Sequence, residues 1–461
     1  MIHNKNKSKF MQASGAYFIG NVFDKAMAFI TIPIFARLLN TSDYGVTATY
    51  VSWMNIITVF ITLSLGNSIR TAVQDFSKEK DQYISSIFFL GMISSVLITL
   101  TICLSVIVFN VKVPIYIVLM CCADAFGTSI LSGIKTKYMM EVKFTRRVLL
   151  QCMPNLVIVI ISIFAIISMD SNKYLGRIFS YFVVSFSLGI GYIFFYFVKG
   201  HTFYNRKYWQ YALKFSLPLI FHGLSAVILS QSDRTMITAL YGSSETGLYS
   251  LAYQFGMVPL VFTTTFENIW IPWFTKRLEE DDRKRINRMV IPYIYFVSMV
   301  CVGIMLIAPE VLMFVTTVEY YGAINMIAPI CLATFFMFIA SILLDLEYYL
   351  KKTKMIAINT VIAAVINITL NLIFIPKYGG TAAAYTTVVA YAVSFFMHYL
   401  YARRLEPGLF RFRIYMLPMI ILVVCTIMIT VFMNFVIIRW CAAAGIGLLC
   451  CTLLYKYVKD R

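Results

Sequence analysis

Six charged side chains lie well inside long apolar stretches of this sequence, where charge is costly. A charged side chain at the centre of a bilayer costs roughly 2.5 to 3.5 kcal/mol on insertion scales, so one that persists usually faces a partner or a water-filled cavity. A guanidinium or ammonium group there can form charge-assisted hydrogen bonds to phosphate oxygens, and a buried carboxylate can carry a proton or hold a cation. The six are Asp24, Lys25, Asp124, Asp233, Arg234 and Glu267.

The two cations, Arg234 and Lys25, are the candidate contacts for an anionic group. Asp233 and His222 lie on the same apolar stretch as Arg234, and polar residues crowd its second half, so this face should line a cavity. Alternatively, each cation is neutralised by the adjacent aspartate or by a carboxylate on a facing helix. Adjacent helical residues point about 100° apart, so such a pair cannot face one partner squarely.

The carboxylates Asp24, Asp124 and Glu267 allow two interpretations. Buried carboxylates in transporters often couple transport to a proton or sodium gradient, but they also form hydrogen bonds between helices. We predict no bound cofactor or metal, because no Cys or His spacing in the sequence resembles a metal site.

Asp345 and Glu347 are a separate case, because they lie close to Lys351 and Lys352 at the end of an apolar stretch. We expect them to form ordinary ion pairs at the membrane interface.

Two prolines, Pro33 and Pro218, occur in the first and seventh apolar stretches. A proline removes one helical hydrogen bond and permits a bend, so both are candidate hinges, with a static kink as the alternative.

The composition places these residues in a membrane protein. Of the 461 residues 60% are hydrophobic and 13% charged, and the mean hydropathy is +0.79, which excludes a soluble fold. A helix needs about 20 mostly apolar residues to cross the hydrocarbon core. We therefore predict an all-α integral membrane protein with about 14 spans. They run over residues 12–35, 44–69, 83–109, 113–134, 148–169, 174–198, 215–241, 247–274, 289–309, 323–349, 355–375, 380–401, 414–435 and 437–455.

The distribution of basic residues predicts the orientation. Most of the 39 lysines and arginines fall in alternate connecting segments, which the positive-inside rule places in the cytoplasm with both termini. This asymmetry also accounts for the net charge of +18 without a nucleic-acid partner.

Two segments, RLLNTSDYG and ALYGSSETG, repeat at a constant offset of 202 positions. Each follows the first helix of a predicted six-helix set. Two such sets in the same orientation would form lobes related by a pseudo-two-fold axis along the membrane normal, with the substrate path between them. The predicted domains are residues 1–200, residues 201–402 and an accessory hairpin at residues 403–461.

Three segments resemble the polysaccharide flippases of the multidrug/oligosaccharidyl-lipid/polysaccharide exporter superfamily. They are PIFARLLNTSDYG, the stretch from SLPLIFHG to GLYSLAY, and NLIFIPKYGGTAAAYTT. The matching residues are Pro33, Arg37, Leu38, Tyr44, Gly45, Pro218, Asp233, Arg234, Gly242, Gly247, Tyr249, Ala252, Asn371, Pro376, Gly379, Ala383, Ala384 and Thr387. Ala382 and Thr386 depart from the family pattern, which usually has glycine and alanine there.

The resemblance implies alternating access and an undecaprenyl-pyrophosphate-linked oligosaccharide as substrate, in O-antigen, lipopolysaccharide, capsule or exopolysaccharide synthesis at the bacterial inner membrane. A polysaccharide polymerase and glycosyltransferases would be possible partners. The alternatives are a cation-coupled multidrug exporter of the same superfamily and a membrane glycan polymerase. The sequence contains no nucleophile elbow and no phosphate-binding glycine loop, and its predicted outer loops are short, so we expect no enzyme.

Overall fold

The computed structural model describes residues 20, 23, 26–27, 29–431, 436–437, 439–441, 444–445, 448 and 452, without the side chains of residues 221, 222, 265 and 268. Within these residues the chain is helical and has no β-strand. The predicted all-α class is therefore confirmed.

The first eight helices, joined by short turns, reach residue 240. They are α1 (Phe29–Leu38), α2 (Thr41–Ile61), α3 (Ile69–Asp75), α4 (Lys80–Val108), α5 (Ile115–Met140), α6 (Phe144–Ile167), α7 (Tyr174–Gly200) and α8 (Arg206–Leu240), with a 3₁₀ turn at Leu65–Ser68.

Six further helices follow. They are α9 (Ser243–Gly256), α10 (Pro259–Glu279), α11 (Arg283–Val315), α12 (Ile324–Tyr349), α13 (Thr353–Leu405) and α14 (Arg413–Val431), with a 3₁₀ turn at Val318–Ala323.

Nine segments in the described part of the chain are long and apolar enough to cross a membrane, or ten if the two halves of α8 count as one span. The predicted spans at 83–109, 113–134, 148–169, 174–198, 289–309 and 323–349 correspond to single helices. The predicted pair at 355–375 and 380–401 corresponds to α13, whose backbone leaves helical geometry at Gly379 (φ 60°, ψ −142°). The span predicted at 437–455 lies mostly outside the described residues.

Two predicted spans were wrong in their bounds. The second was expected to reach Ile69, but α2 ends at Ile61, where Leu63 and Ser64 adopt left-handed backbone geometry. The eighth was expected to be one helix from Gly247 to Phe274, but it divides into α9 and α10. Pro259 occupies the first turn of α10 and lacks the N–H group that a continuous helix would need.

The chain divides into two compact units. Unit 1 comprises residues 1–39 and 46–235, and unit 2 comprises residues 40–45 and 236–461. The predicted boundary at residue 200 and the two-lobe symmetry remain predictions.

In unit 1, α5 and α7 pack with almost no side chain between them. A Cβ atom on Gly189 would lie 2.7 Å from the Cα atom of Gly127. Small residues let helix backbones approach closely in a membrane, where close packing contributes much of the association energy. This contact fixes α5 and α7 relative to each other, and with them the polar residues that the two helices carry.

Ion pairs join one end of α4, α5 and α7. The Lys137 side chain is 4% exposed, and its ammonium lies 2.7 Å from Asp81 and 2.8 Å from the Tyr196 hydroxyl. Lys199 also pairs with Asp81, at 2.9 Å. Glu141, which follows α5, pairs with Lys80 at 2.9 Å and with Lys143 at 2.6 Å.

In unit 2, α12 is the central helix. It belongs to the apolar segment Val318–Tyr349, and 83% of the residues in the most apolar part of that segment are buried. It packs against α9, α10, α11, α13 and α14. Polar groups on α12 therefore need partners on neighbouring helices.

Candidate functional site: buried polar groups in each unit

Asp124 is buried in unit 1, with 1% of its surface exposed. The Tyr50 hydroxyl on α2 donates to one carboxylate oxygen at 3.3 Å, and Thr128, one turn along α5, donates to the other at 3.4 Å. These contacts join α5 to α2. They show one of the two expected uses of this carboxylate, and coupling to an ion gradient remains a prediction.

Asp233 and Arg234 lie on α8 in unit 1. Asp233 is buried, with 1% exposed, whereas Arg234 is half-buried. The Arg234 guanidinium donates to the carbonyl oxygen of Ser230 at 3.2 Å and to the side chain of Gln231 at 3.3 Å. It is therefore folded back along its own helix over the polar face that the sequence indicates.

Three other predicted site residues cannot be placed. Asp24 and Lys25 lie outside the described residues, as does the side chain of His222. Their predicted roles in substrate binding and ion coupling remain predictions.

Of the two predicted hinges, Pro33 is half-buried within α1, and Pro218 lies inside α8. The helix bends by 43° between Ile220 and Gly223. Proline and glycine are the usual causes of such a kink, and here Pro218 and Gly223 flank the bend. Movement at this bend remains a prediction.

In unit 2, two side-chain hydrogen bonds join α10 to α12, and Glu267 accepts one of them. The Ser341 hydroxyl donates to Glu267 at 3.1 Å, and the Trp270 indole N–H donates to Asp345 at 3.0 Å. Positions three and four apart share a helix face, so the two carboxylates lie about one turn apart.

The predicted interfacial ion pairs of Asp345 and Glu347 were wrong. Asp345 binds Trp270, as described above, and Glu347 is fully buried and pairs with His398 at 2.8 Å. Lys351 and Lys352, the expected partners, are exposed. The reason is that α12 is enclosed almost to its end, so Glu347 faces the interior rather than the interface.

The pairing of Glu347 and His398 brings in a third buried residue, Asn359. Its side-chain amide lies 3.2 Å from the same imidazole nitrogen. The three come from α12 and from the two halves of α13, and each is at most 2% exposed. Sequence reasoning missed this cluster, since only the fold of α13 brings Asn359 and His398 together.

A second polar cluster lies further along α13. Asn367 and Asn371 are fully buried and hydrogen-bonded at 3.3 Å, and the Thr386 hydroxyl donates to Asn371. Thr386 is one of the two departures from the family pattern, and the hydroxyl that distinguishes it from alanine makes this polar contact.

The repeated turns contact each other within unit 2. The hydroxyl groups of Thr41 and Ser244 are 2.6 Å apart, and those of Ser42 and Ser243 are 2.7 Å apart. Helices α1 and α8 end, and α2 and α9 begin, at positions that also differ by 202. The contact is thus reciprocal, as in a two-fold interface. Thr41 bonds to Ser244, and their counterparts at the offset of 202, Ser243 and Ser42, bond to each other.

Glu245, in the first turn of α9, accepts a hydrogen bond from the backbone N–H of Gly380 at 3.0 Å. Gly380 follows the break at Gly379, so this carboxylate caps the second half of α13.

Solved structures of transporters share this arrangement of helices. The lipid II flippase MurJ in an inward closed conformation has a TM-score of 0.72 and 16% identity, over 97% of this chain and 99% of that one. An inward-facing multidrug resistance MATE transporter of the MOP superfamily has a TM-score of 0.64 and 14% identity, over 82% and 94%. The fold is therefore that of the multidrug/oligosaccharidyl-lipid/polysaccharide superfamily of membrane transporters.

Residues 10–278, more than half of the chain, match the model of the family described as polysaccharide biosynthesis protein. The chain therefore belongs to this family. A curated relative is the "Probable low-salt glycan biosynthesis flippase Agl15" of Haloferax volcanii. It is 22% identical over 400 residues, which cover 83% of this chain and 81% of the relative.

Proposed function

We propose that this protein moves an undecaprenyl-pyrophosphate-linked oligosaccharide repeat unit from the cytoplasmic to the outer leaflet of a bacterial inner membrane by alternating access. The product would serve O-antigen, capsule or exopolysaccharide synthesis. The observation that carries the proposal is the family match over residues 10–278. The relative named for glycan biosynthesis and the fold shared with a lipid II flippase support it.

Arg234 supports an anionic substrate. A half-buried guanidinium on the polar face of α8 can reorient from its own helix to a phosphate, and it can donate two parallel hydrogen bonds. Lys25, His222 and Asp233 are proposed to complete the binding group.

The proposed architecture is two six-helix lobes at residues 1–200 and 201–402, followed by an accessory hairpin, with both termini in the cytoplasm. The reciprocal turns at a 202-residue offset support the internal repeat. Asp24, Asp124 and Glu267 are proposed to couple transport to a proton or sodium gradient. Polysaccharide polymerase and glycosyltransferases are the proposed protein partners.

A multidrug exporter of the same superfamily is the second candidate. The MATE fold favours it, and so do the facing carboxylates Glu267 and Asp345, which suit a cationic substrate. A membrane glycan polymerase is the remaining alternative from another class.

Deletion of the gene in its native host tests these readings. We expect surface glycan to be lost and single lipid-linked repeats to accumulate on the cytoplasmic face of the inner membrane. Single repeats accumulating on the outer face would instead indicate a polymerase. Unchanged glycan with altered tolerance to cationic drugs would indicate an exporter.

A further inference from the structure

An open groove of about 650 Å³ lies in unit 1 between α6 and α7. Its floor includes Val184, which is 6% exposed, and its rim includes Met153 and Val157, which are 49% and 41% exposed. Pro154 also lines it, and a proline within a helix interrupts the regular hydrogen bonding and bends the backbone. The walls are almost entirely apolar, so the groove suits a hydrocarbon chain.

One end of the groove is polar. It is lined by Arg146 near the start of α6 and by the tyrosines Tyr138 and Tyr192; the two tyrosines interact with each other, and Tyr192 also interacts with the guanidinium. Arg146 is exposed, and the carboxylate closest to it in sequence, Glu141, is paired with Lys80 and Lys143. A guanidinium beside two hydroxyl groups suits a phosphate group.

The groove is long enough for one extended hydrocarbon chain. From Arg146 to Ile161 it follows α6 for 15 residues, or about 22 Å at 1.5 Å per residue. The substrate under the proposed function carries a polyprenyl chain on a phosphate group, so we assign the groove to that chain, and competition by a phospholipid is the test of the assignment.

We propose that this groove holds the isoprenoid chain of a polyprenyl phosphate lipid, with the phosphate on Arg146 at the cytoplasmic surface. The inference rests on the proposed function, because it names a second contact for the lipid part of the same substrate. The groove would receive the lipid laterally from the cytoplasmic leaflet, outside the path that the glycan takes.

The first experiment measures binding of undecaprenyl phosphate to the full-length protein in nanodiscs. A photoreactive benzoylphenylalanine replaces Val157 in the groove or, as the matched control, Ile160, which is 52% exposed on the same helix but does not line the groove. We expect cross-linking at position 157 to exceed that at position 160 at least fivefold, and Arg146→Ala to reduce it at least fivefold. Equal cross-linking at both positions would overturn the proposal, as would equal competition by phosphatidylglycerol.

The second experiment measures glycan export in the deletion strain. Val157→Trp, which fills the groove, and Arg146→Ala should each lower the initial rate of surface glycan synthesis at least threefold, and Ile160→Trp should leave it unchanged at equal membrane levels. If deletion abolishes the glycan but both groove variants export it at the wild-type rate, the proposed role of the groove is overturned and the proposed function is not. Persistence of the glycan in the deletion strain would overturn the proposed function, whereas the cross-linking result would still report on the groove.

Discussion

Gly45 and Gly247 each face the backbone of the other's turn. A Cβ atom on Gly45 would overlap the carbonyl oxygen of Ser243, and one on Gly247 would overlap the carbonyl oxygen of Thr41. Both pairs are related by the same offset of 202. The absence of a side chain is therefore required on both sides of one reciprocal contact.

Alanine at either glycine should destabilise the protein. The added methyl group has no space, and overpacking of this kind typically costs about 1 to 3 kcal/mol. Thermal unfolding of the purified protein should show a lower midpoint for Gly45→Ala and for Gly247→Ala. Gly303→Ala is the control, because nothing lies within 4 Å of the position of its Cβ atom. A midpoint equal to that of the control would show that the turns can separate at no cost.

The repeat could be predicted from the sequence, but the contact between its two copies could not. Spacing shows that Ser42 and Ser244 correspond, and the structure shows that each bonds to the residue that precedes the other, Ser42 to Ser243 and Ser244 to Thr41. Sequence similarity reports common origin, whereas contact depends on how the intervening helices return the chain.

Removal of either member of the buried pair of Glu347 and His398 should be strongly destabilising. Loss of one partner leaves a buried polar or charged group uncompensated, which typically costs about 3 to 5 kcal/mol. We expect Glu347→Ala and His398→Ala each to lower the thermal midpoint clearly. In the double variant the two effects should combine to less than their sum, because the contact is lost only once.

Glu406→Ala is the matched control for that cycle. Glu406 pairs with Arg283 at 2.9 Å, but Arg283 is 41% exposed, and such pairs contribute at most about 1 kcal/mol. If the Glu347 and His398 effects simply add, the pair is not an energetic unit.

Glu141 should make stability depend on acid pH. Burial alone would raise the pKa of this carboxyl, but the ammonium groups of Lys143 and Lys80 more than offset burial and hold the pKa below its ordinary value of 4.5. A lowered pKa means that the stabilising contribution is complete above about pH 4.5 and is lost as pH falls through the lower, folded-state value. Between pH 5 and 3 the wild type should lose more stability than Glu141→Gln. Parallel curves would show that the ion pairs contribute nothing.

Arg234 should be required for transport. Arg234→Ala removes the cation, and Arg234→Lys keeps the charge but not the planar pair of donors, so both should abolish glycan export if recognition of phosphate is bidentate. Surface glycan in a complemented deletion strain is the measurement. Arg403→Ala changes an exposed arginine and should export normally. Normal export by Arg234→Ala would remove this residue from the site.

Broken helices were the main limit of prediction from sequence. Apolar periodicity continues through Met257 and Val258, so it cannot show that α9 ends and α10 begins there. The proline that follows was a usable signal, but most prolines in membrane helices only bend them.

The sequence indicates which polar groups lie in apolar stretches, but it does not indicate which partners they contact. Hydropathy singles out Asp124 and Glu267 because charge is rare in apolar stretches, and both proved to bond to neighbouring helices. It could not show that Glu347, two residues from the end of α12, would be enclosed. That depends on α13 folding back over α12.

The contact between Gly127 and Gly189 has a consequence for biosynthesis. The two glycines are 62 positions apart, and synthesis at about 5 to 20 residues per second separates their emergence from the ribosome by about 3 to 12 s. During that interval α5 has been made and α7 has not. The surface of α5 at Gly127 must therefore be covered by lipid, by another helix or by the insertion machinery. Unit 1 therefore acquires its tightest α5–α7 contact only after the nascent chain has passed through an intermediate lacking it, and a substitution at Gly127 that blocks the contact can act only once α7 has been made.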